Sequence, residues 1–117
     1  QFVPTERDHD RDVLRGLQKA QYTLRRDGIR MAVKKILFDI ETEHGSARPD
    51  FLVAVKHQAS GRQITFALQV LQSADSGYLE LRGIEHDRLL EIGPGVALPL
   101  SDITADVIAD HARQIIS

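Results

Sequence analysis

No cysteine and no tryptophan occur among the 117 residues, and aromatic residues make up only 5% of them. The first absence removes disulfides, thiolate chemistry and cysteine-based zinc sites. It fits a reducing compartment, and a cytoplasmic location is the expectation. The second leaves too few rings for a platform that stacks unpaired bases. No apolar run approaches the ~18 residues of a membrane helix, and the N-terminus lacks a signal-peptide pattern, so no membrane partner is expected. An excess of one charge is missing too: 15 Lys and Arg against 17 Asp and Glu give a formal net charge of −2. That total does not favour a dedicated nucleic-acid binder, although a local basic patch is compatible with it. The five histidines, His9, His44, His57, His86 and His111, lie in separate segments without His-x-x-x-His spacing, which argues against zinc. The chain starts at Gln1 rather than Met. A piece excised from a longer protein is therefore expected, with the other domains of that protein as partners.

What is present suits one modest core. The length falls in the range of a single domain, and 42% hydrophobic with 27% charged residues is ordinary for a globular chain. Residues 1–117 are expected to form one domain, without repeats, low-complexity tracts or linkers.

From Asp8 to Arg26 the residues Val13, Leu14, Leu17, Ala20 and Leu24 recur at helical spacing, with charge on the other face. Thr5 with Asp8 resembles a cap, and Asp27-Gly28 a stop. A strand is expected in the latter half of Met31 to Ile40, through Leu37-Phe38-Asp39-Ile40. The polar stretch from Glu41 to Ala47 would be a short connection. Phe51 to His57 and Arg62 to Leu71 read as strands around a turn at Gln58 to Gly61. Ser76 to Ile92 returns to helical period, interrupted at Gly83, and Gly93-Pro94-Gly95 stops it. Val96 to Leu100 is a short strand, and a last helix follows a cap at Ser101 or Thr104. The order is αβββαβα: an α/β (α+β) fold with a central mixed sheet of about four strands flanked by helices.

Arg48-Pro49-Asp50-Phe51 opens one strand, and Phe66-Ala67-Leu68-Gln69-Val70-Leu71-Gln72 lies on the next. With the order of elements, these residues resemble the PD-(D/E)XK, or restriction-endonuclease-like, nuclease superfamily, over roughly Asp8 to Leu100. Tyr78 and Arg82 on the following helix add a closer likeness to nuclease-like domains of plasmid and mobile-element proteins. The resemblance implies two carboxylates on adjacent strands that hold Mg²⁺ through hard oxygen ligands, and a Lys beside the metal-generated nucleophile. Asp50 matches the first carboxylate and is the candidate metal ligand. Gln69 stands at the second, and Leu71 replaces the Lys. Strand alternation keeps Gln69 and Leu71 on one face. Lys56 shares the parity of Asp50 but lies roughly 20 Å along the strand, too far to substitute. Arg82 is the better placed cation, able to bind phosphate but not to act as a base. Asp39, Glu41, Glu43, Glu6, Asp8 and Asp12 are the candidates for a supporting acid.

Two of three signature positions are thus replaced, and a degenerate, non-catalytic domain is expected. It would serve a larger protein as a DNA-associated or protein-interaction module and need no cofactor. Lys34, Lys35 and Arg48 are the candidate nucleic-acid contacts, beside Arg25, Arg26 and Arg30. One alternative is an active nuclease with a rearranged site of Asp50, Gln69 and Arg82, using Mg²⁺ or Mn²⁺. Another is a structural or oligomerisation domain that pairs through a sheet edge or through the helix from Thr104 to Ile116.

Overall fold

The computed structural model describes residues 6–117, with side chains from Asp10 onward. Helix α1 (Glu6–Arg25) is followed by strand β1 (Ile29–Lys35), a small hairpin of β2 (Ile40–Thr42) and β3 (Gly45–Ala47), and strands β4 (Phe51–His57) and β5 (Gln63–Leu71). Helix α2 (Ser76–Leu90), strand β6 (Gly95–Pro99), a 3₁₀ turn (Leu100–Asp102) and helix α3 (Ala105–Ile116) complete the chain. The main sheet has the order β1-β4-β5-β6. Its first three strands form an antiparallel meander, and β6 joins β5 in parallel through α2. The last three of these strands lie where the hydrophobic pattern places them.

Two expectations are corrected. The first strand lies at Ile29–Lys35, not over Leu37 to Ile40. There Ile29 and Met31 point inward while Arg30, Ala32 and Lys34 point out; the three cations of this strand hid its alternation from a reading by hydrophobicity. Leu37 and Phe38, which suggested the strand, are 74% and 61% exposed. The stretch from Glu41 to Ala47 is no mere connection but a two-stranded sheet of its own. Smaller differences follow from side-chain contacts. Helix α2 runs through Gly83, and Thr104 rather than Ser101 caps α3 by accepting from the Val107 amide. Thr5 and its proposed cap lie outside the described residues.

Alternate strand residues build two unlike layers. On one face, Val13, Leu17, Ala20 and Leu24 of α1 and Ile108, Ala109, Ala112 and Ile116 of α3 close over Phe51, Val53, Val55, Phe66, Leu68 and Val70. Each of the Val, Leu, Ile and Phe side chains contributes roughly 1.5–3 kcal/mol by leaving water. Helix α1 meets the segment that leads into α3 closely at Gly16, where an added Cβ would stand 2.5 Å from the Ile103 carbonyl oxygen. Gly28, at φ +72°, turns the chain from α1 into β1. The apolar stripe of α3 is therefore used inside this chain, which removes it as a free pairing surface. On the other face sit α2 and the β2–β3 hairpin, over a small cluster of Ala47, Ala67, Leu89, Ile40 and Leu52. Among the described residues, no helix is long and apolar enough to cross a membrane.

Candidate functional site

Asp50 immediately precedes β4. Its amide donates to the Leu68 carbonyl at 3.0 Å, and its own carbonyl accepts from the Ile36 amide at 3.1 Å. Because Phe51 pairs with Leu68, Asp50 falls beside Gln69, and the two side chains project to the α2 side of the sheet. Strand parity places Leu71 on the same side. The structure thus brings Asp50, Gln69 and Arg82 together.

They do not form an open cavity. Asp50 Oδ2 accepts from Arg82 Nη2 at 2.6 Å and from the Val70 amide at 2.7 Å. Arg82 Nη1 donates to Glu85 Oε1 at 3.2 Å and to the Arg48 carbonyl at 3.3 Å, while Glu85 Oε2 accepts from the Arg48 amide at 3.0 Å. Gln69, fully buried, donates from Nε2 to the Arg82 carbonyl at 3.4 Å. Gln69 Oε1 and Arg82 Nε are buried without a protein partner. Tyr78 closes the end: its hydroxyl donates to the Val70 carbonyl at 3.3 Å and accepts from the Gln72 amide at 3.1 Å. The guanidinium fork suits this arrangement, since its two terminal nitrogens reach oxygens on different elements from one plane.

Helix α2 delivers these groups because Arg82, Glu85 and Arg88 recur every three residues along its inner side. Arg88 Nη1 donates to the Ser46 carbonyl at 2.8 Å and fastens the hairpin. Asp75 starts the helix by accepting from the Tyr78 amide at 3.0 Å. Glu85 and Arg88 were missed in the sequence, although a charged i, i+3, i+6 stripe was there to be seen.

The cleft next to this network holds Asp10, Lys35, Leu37, Arg48, Pro49 and Asp50. Lys35 forms an ion pair with Asp10. Among the described side chains of α1, Asp10 is thus the acid at the site, and it was not among the candidates; Asp12 is exposed on the helix surface. The side chains of Glu6 and Asp8 lie outside the described residues. Asp39 falls in the connection after β1, and Glu41 and Glu43 lie on the hairpin rather than on the main sheet. Arg48 is exposed at the cleft rim. Lys34 and Lys35, being adjacent on a strand, point to opposite faces and do not form one patch. Lys56 pairs with Arg30 at the far end of β4, away from Asp50.

A model of the restriction endonuclease-like C-terminal domain family matches residues 6–115. The chain belongs to this family. No curated protein and no solved structure gives a significant match. The mixed sheet with its β5–α2–β6 crossover is the restriction-endonuclease-like fold.

A divalent ion of the kind such nucleases use does not fit this restriction endonuclease-like domain as it stands. Asp50 is one carboxylate whose Oδ2 is engaged by a cation and an amide, and Gln69 adds no charge. Among the described residues, no three of His, Cys, Asp or Glu are grouped to hold a metal.

Proposed function

We propose that this restriction endonuclease-like domain is non-catalytic and serves a larger protein as a DNA-associated module. The observation that carries the reading is the Asp50–Arg82 pair, in which a guanidinium of the same chain stands against the candidate metal ligand and engages its Oδ2. Glu85 engages the other arm of Arg82, so carboxylates of the same chain balance its charge without a metal or a phosphate. A change of Leu71 and Gln69 alone would have left Asp50 free; the filled site supports a scaffold kept for another purpose. DNA association is supported by the exposed cations Arg48, Arg11 and Arg15 along the clefts that meet at Asp10 and Lys35. The likeness to plasmid and mobile-element proteins suggests the setting of the full-length chain.

The test is a stepwise restoration. Gln69→Glu with Leu71→Lys should remain inert in a plasmid-nicking assay with Mg²⁺ or Mn²⁺, and calorimetry should detect no metal binding. Adding Arg82→Ala should allow Mn²⁺ to bind. Nicking by the unaltered protein, abolished by Asp50→Asn, would overturn the non-catalytic reading and favour the rearranged-site nuclease.

A further inference from the structure

None of the four strands of the main sheet carries an acid. Residues 28–38 and 51–74 contain neither Asp nor Glu, and β1, β4 and β5 lie in these stretches. Strand register sorts their outward side chains into rows on the α2 side of the sheet. Arg30, Lys56 and Gln63 form one row, Ala32, Ala54 and Thr65 the next, and Lys34, Leu52 and Ala67 the third. Helix α2 and the hairpin cover only Leu52 and Ala67 of the last row and leave Lys34 exposed. Arg30, Ala32, Lys34, Lys56, Gln63 and Thr65 are all exposed. The net charge of −2 therefore conceals a strongly segregated surface.

Arg30 stands directly across from Lys56. Like charges in that position destabilise a sheet, and no ion pair with an acid offsets either cation among the described residues. An anion between them would reverse the sign of the interaction. A concavity of about 690 Å³ opens at this end, and Arg25, Arg30 and Lys56 line it together with Gln21, Gln58 and Gln63. Arg30 and Lys34 are about 13 Å apart along β1, close to the ~12 Å width of a duplex major groove. The middle row is flat, small and without an aromatic ring. It admits a phosphate backbone closely and offers unpaired bases nothing to stack on.

We propose that the uncovered face of β1, β4 and β5 is a binding surface for the phosphodiester backbone of duplex DNA, with Arg30, Lys56 and Lys34 as its phosphate contacts. This deepens the reading of the domain as DNA-associated and rests on it. Arg30 and Lys56 lie at the end of β4 opposite the Asp50 cleft, and Lys34, across from Leu52, lies nearer to it.

The experiment is fluorescence anisotropy of the 117-residue protein with a labelled random-sequence duplex, between about 50 and 200 mM salt. Arg30→Gln with Lys56→Gln should weaken binding about tenfold and lower the salt slope by about 2, near 0.9 for each phosphate no longer neutralised. Lys19→Gln with Arg26→Gln, which removes the same charge from α1 and the turn after it, should change affinity less than about twofold. Unchanged circular dichroism and melting would show that the variants fold. Binding that survives Arg30→Gln with Lys56→Gln but is abolished in Arg48→Gln would overturn the proposal and leave DNA association standing at the cleft. No duplex binding by the unaltered protein at low salt would overturn both. Tighter binding of a single strand of equal length, or competition by poly-glutamate at equal charge as effective as that by duplex, would overturn the assignment of the face to duplex DNA.

Discussion

Alternate residues of the same strands build both faces of the sheet, and the two faces are held by different physics. Toward α1 and α3, Val53, Val55, Phe66, Leu68 and Val70 meet Leu17, Leu24 and Ile108 in a dry core. Toward α2, a helix with only Leu89 buried is tied down by Arg82, Glu85, Arg88 and Tyr78, while Leu81 and Ile84 on it are 57% and 44% exposed. Stability is concentrated on the first face. The second carries the directional contacts that hold Asp50 and the hairpin in place.

The largest expected effect breaks the first face. Leu17 is fully buried in α1, and Leu17→Ala should cost about 3 to 4 kcal/mol, the range for a large-to-small change in a packed core. Urea unfolding should show a lower midpoint with an unchanged slope. A loss below about 1 kcal/mol, the scale of a surface change, would mean that the two faces are not as unequal as their burial indicates.

The second prediction addresses the polar face. Arg82→Ala removes the partner of Asp50 and one partner of Glu85; the stranded, half-buried carboxylates should cost about 2 to 3 kcal/mol, below the 3–5 of a fully buried pair. Arg82→Lys should recover less than half of that loss. A single ammonium cannot reach Asp50, Glu85 and the Arg48 carbonyl together. Full recovery by Lys would show that only the charge matters and would remove the geometric argument for a filled site. A double-mutant cycle with Asp50→Asn measures the pair itself, with an expected coupling of about 1 to 2 kcal/mol.

These two faces were not equally legible in the sequence. The α1 and α3 stripes, the β4–β5 hairpin and the order of the main strands follow from periodicity, because burial against a dry core imposes a strict repeat. Asp50, Gln69 and Arg82 were found through the family pattern; the family match bears out the family and the fold. Their mutual engagement was not readable: that Asp50 is held by Arg82 rather than left open depends on where α2 crosses the sheet. Strand β1 escaped for the reason that makes it interesting. Its outward side chains, Arg30, Ala32 and Lys34, face solvent instead of a second layer, so its hydrophobic signal is only half that of a covered strand. Asp10 was missed because its partner, Lys35, is 25 residues distant.

The smallest effect is the most discriminating. If the uncovered rows of the α2 face were ordinary solvated surface, neutralising Arg30 would leave stability unchanged. Arg30 lies opposite Lys56, and relief of that like-charge pair should instead stabilise the free protein by about 0.2 to 0.5 kcal/mol. The gain should shrink as salt is raised and the repulsion is screened. The same substitution on the sealed face has no counterpart, since no charges oppose one another there. A slightly higher melting temperature for Arg30→Gln at low salt, together with weaker duplex binding, is the pattern of a residue kept for a ligand at the expense of the fold. A lower melting temperature would instead make Arg30 a structural residue, and the polar face would then differ from the apolar one only in composition.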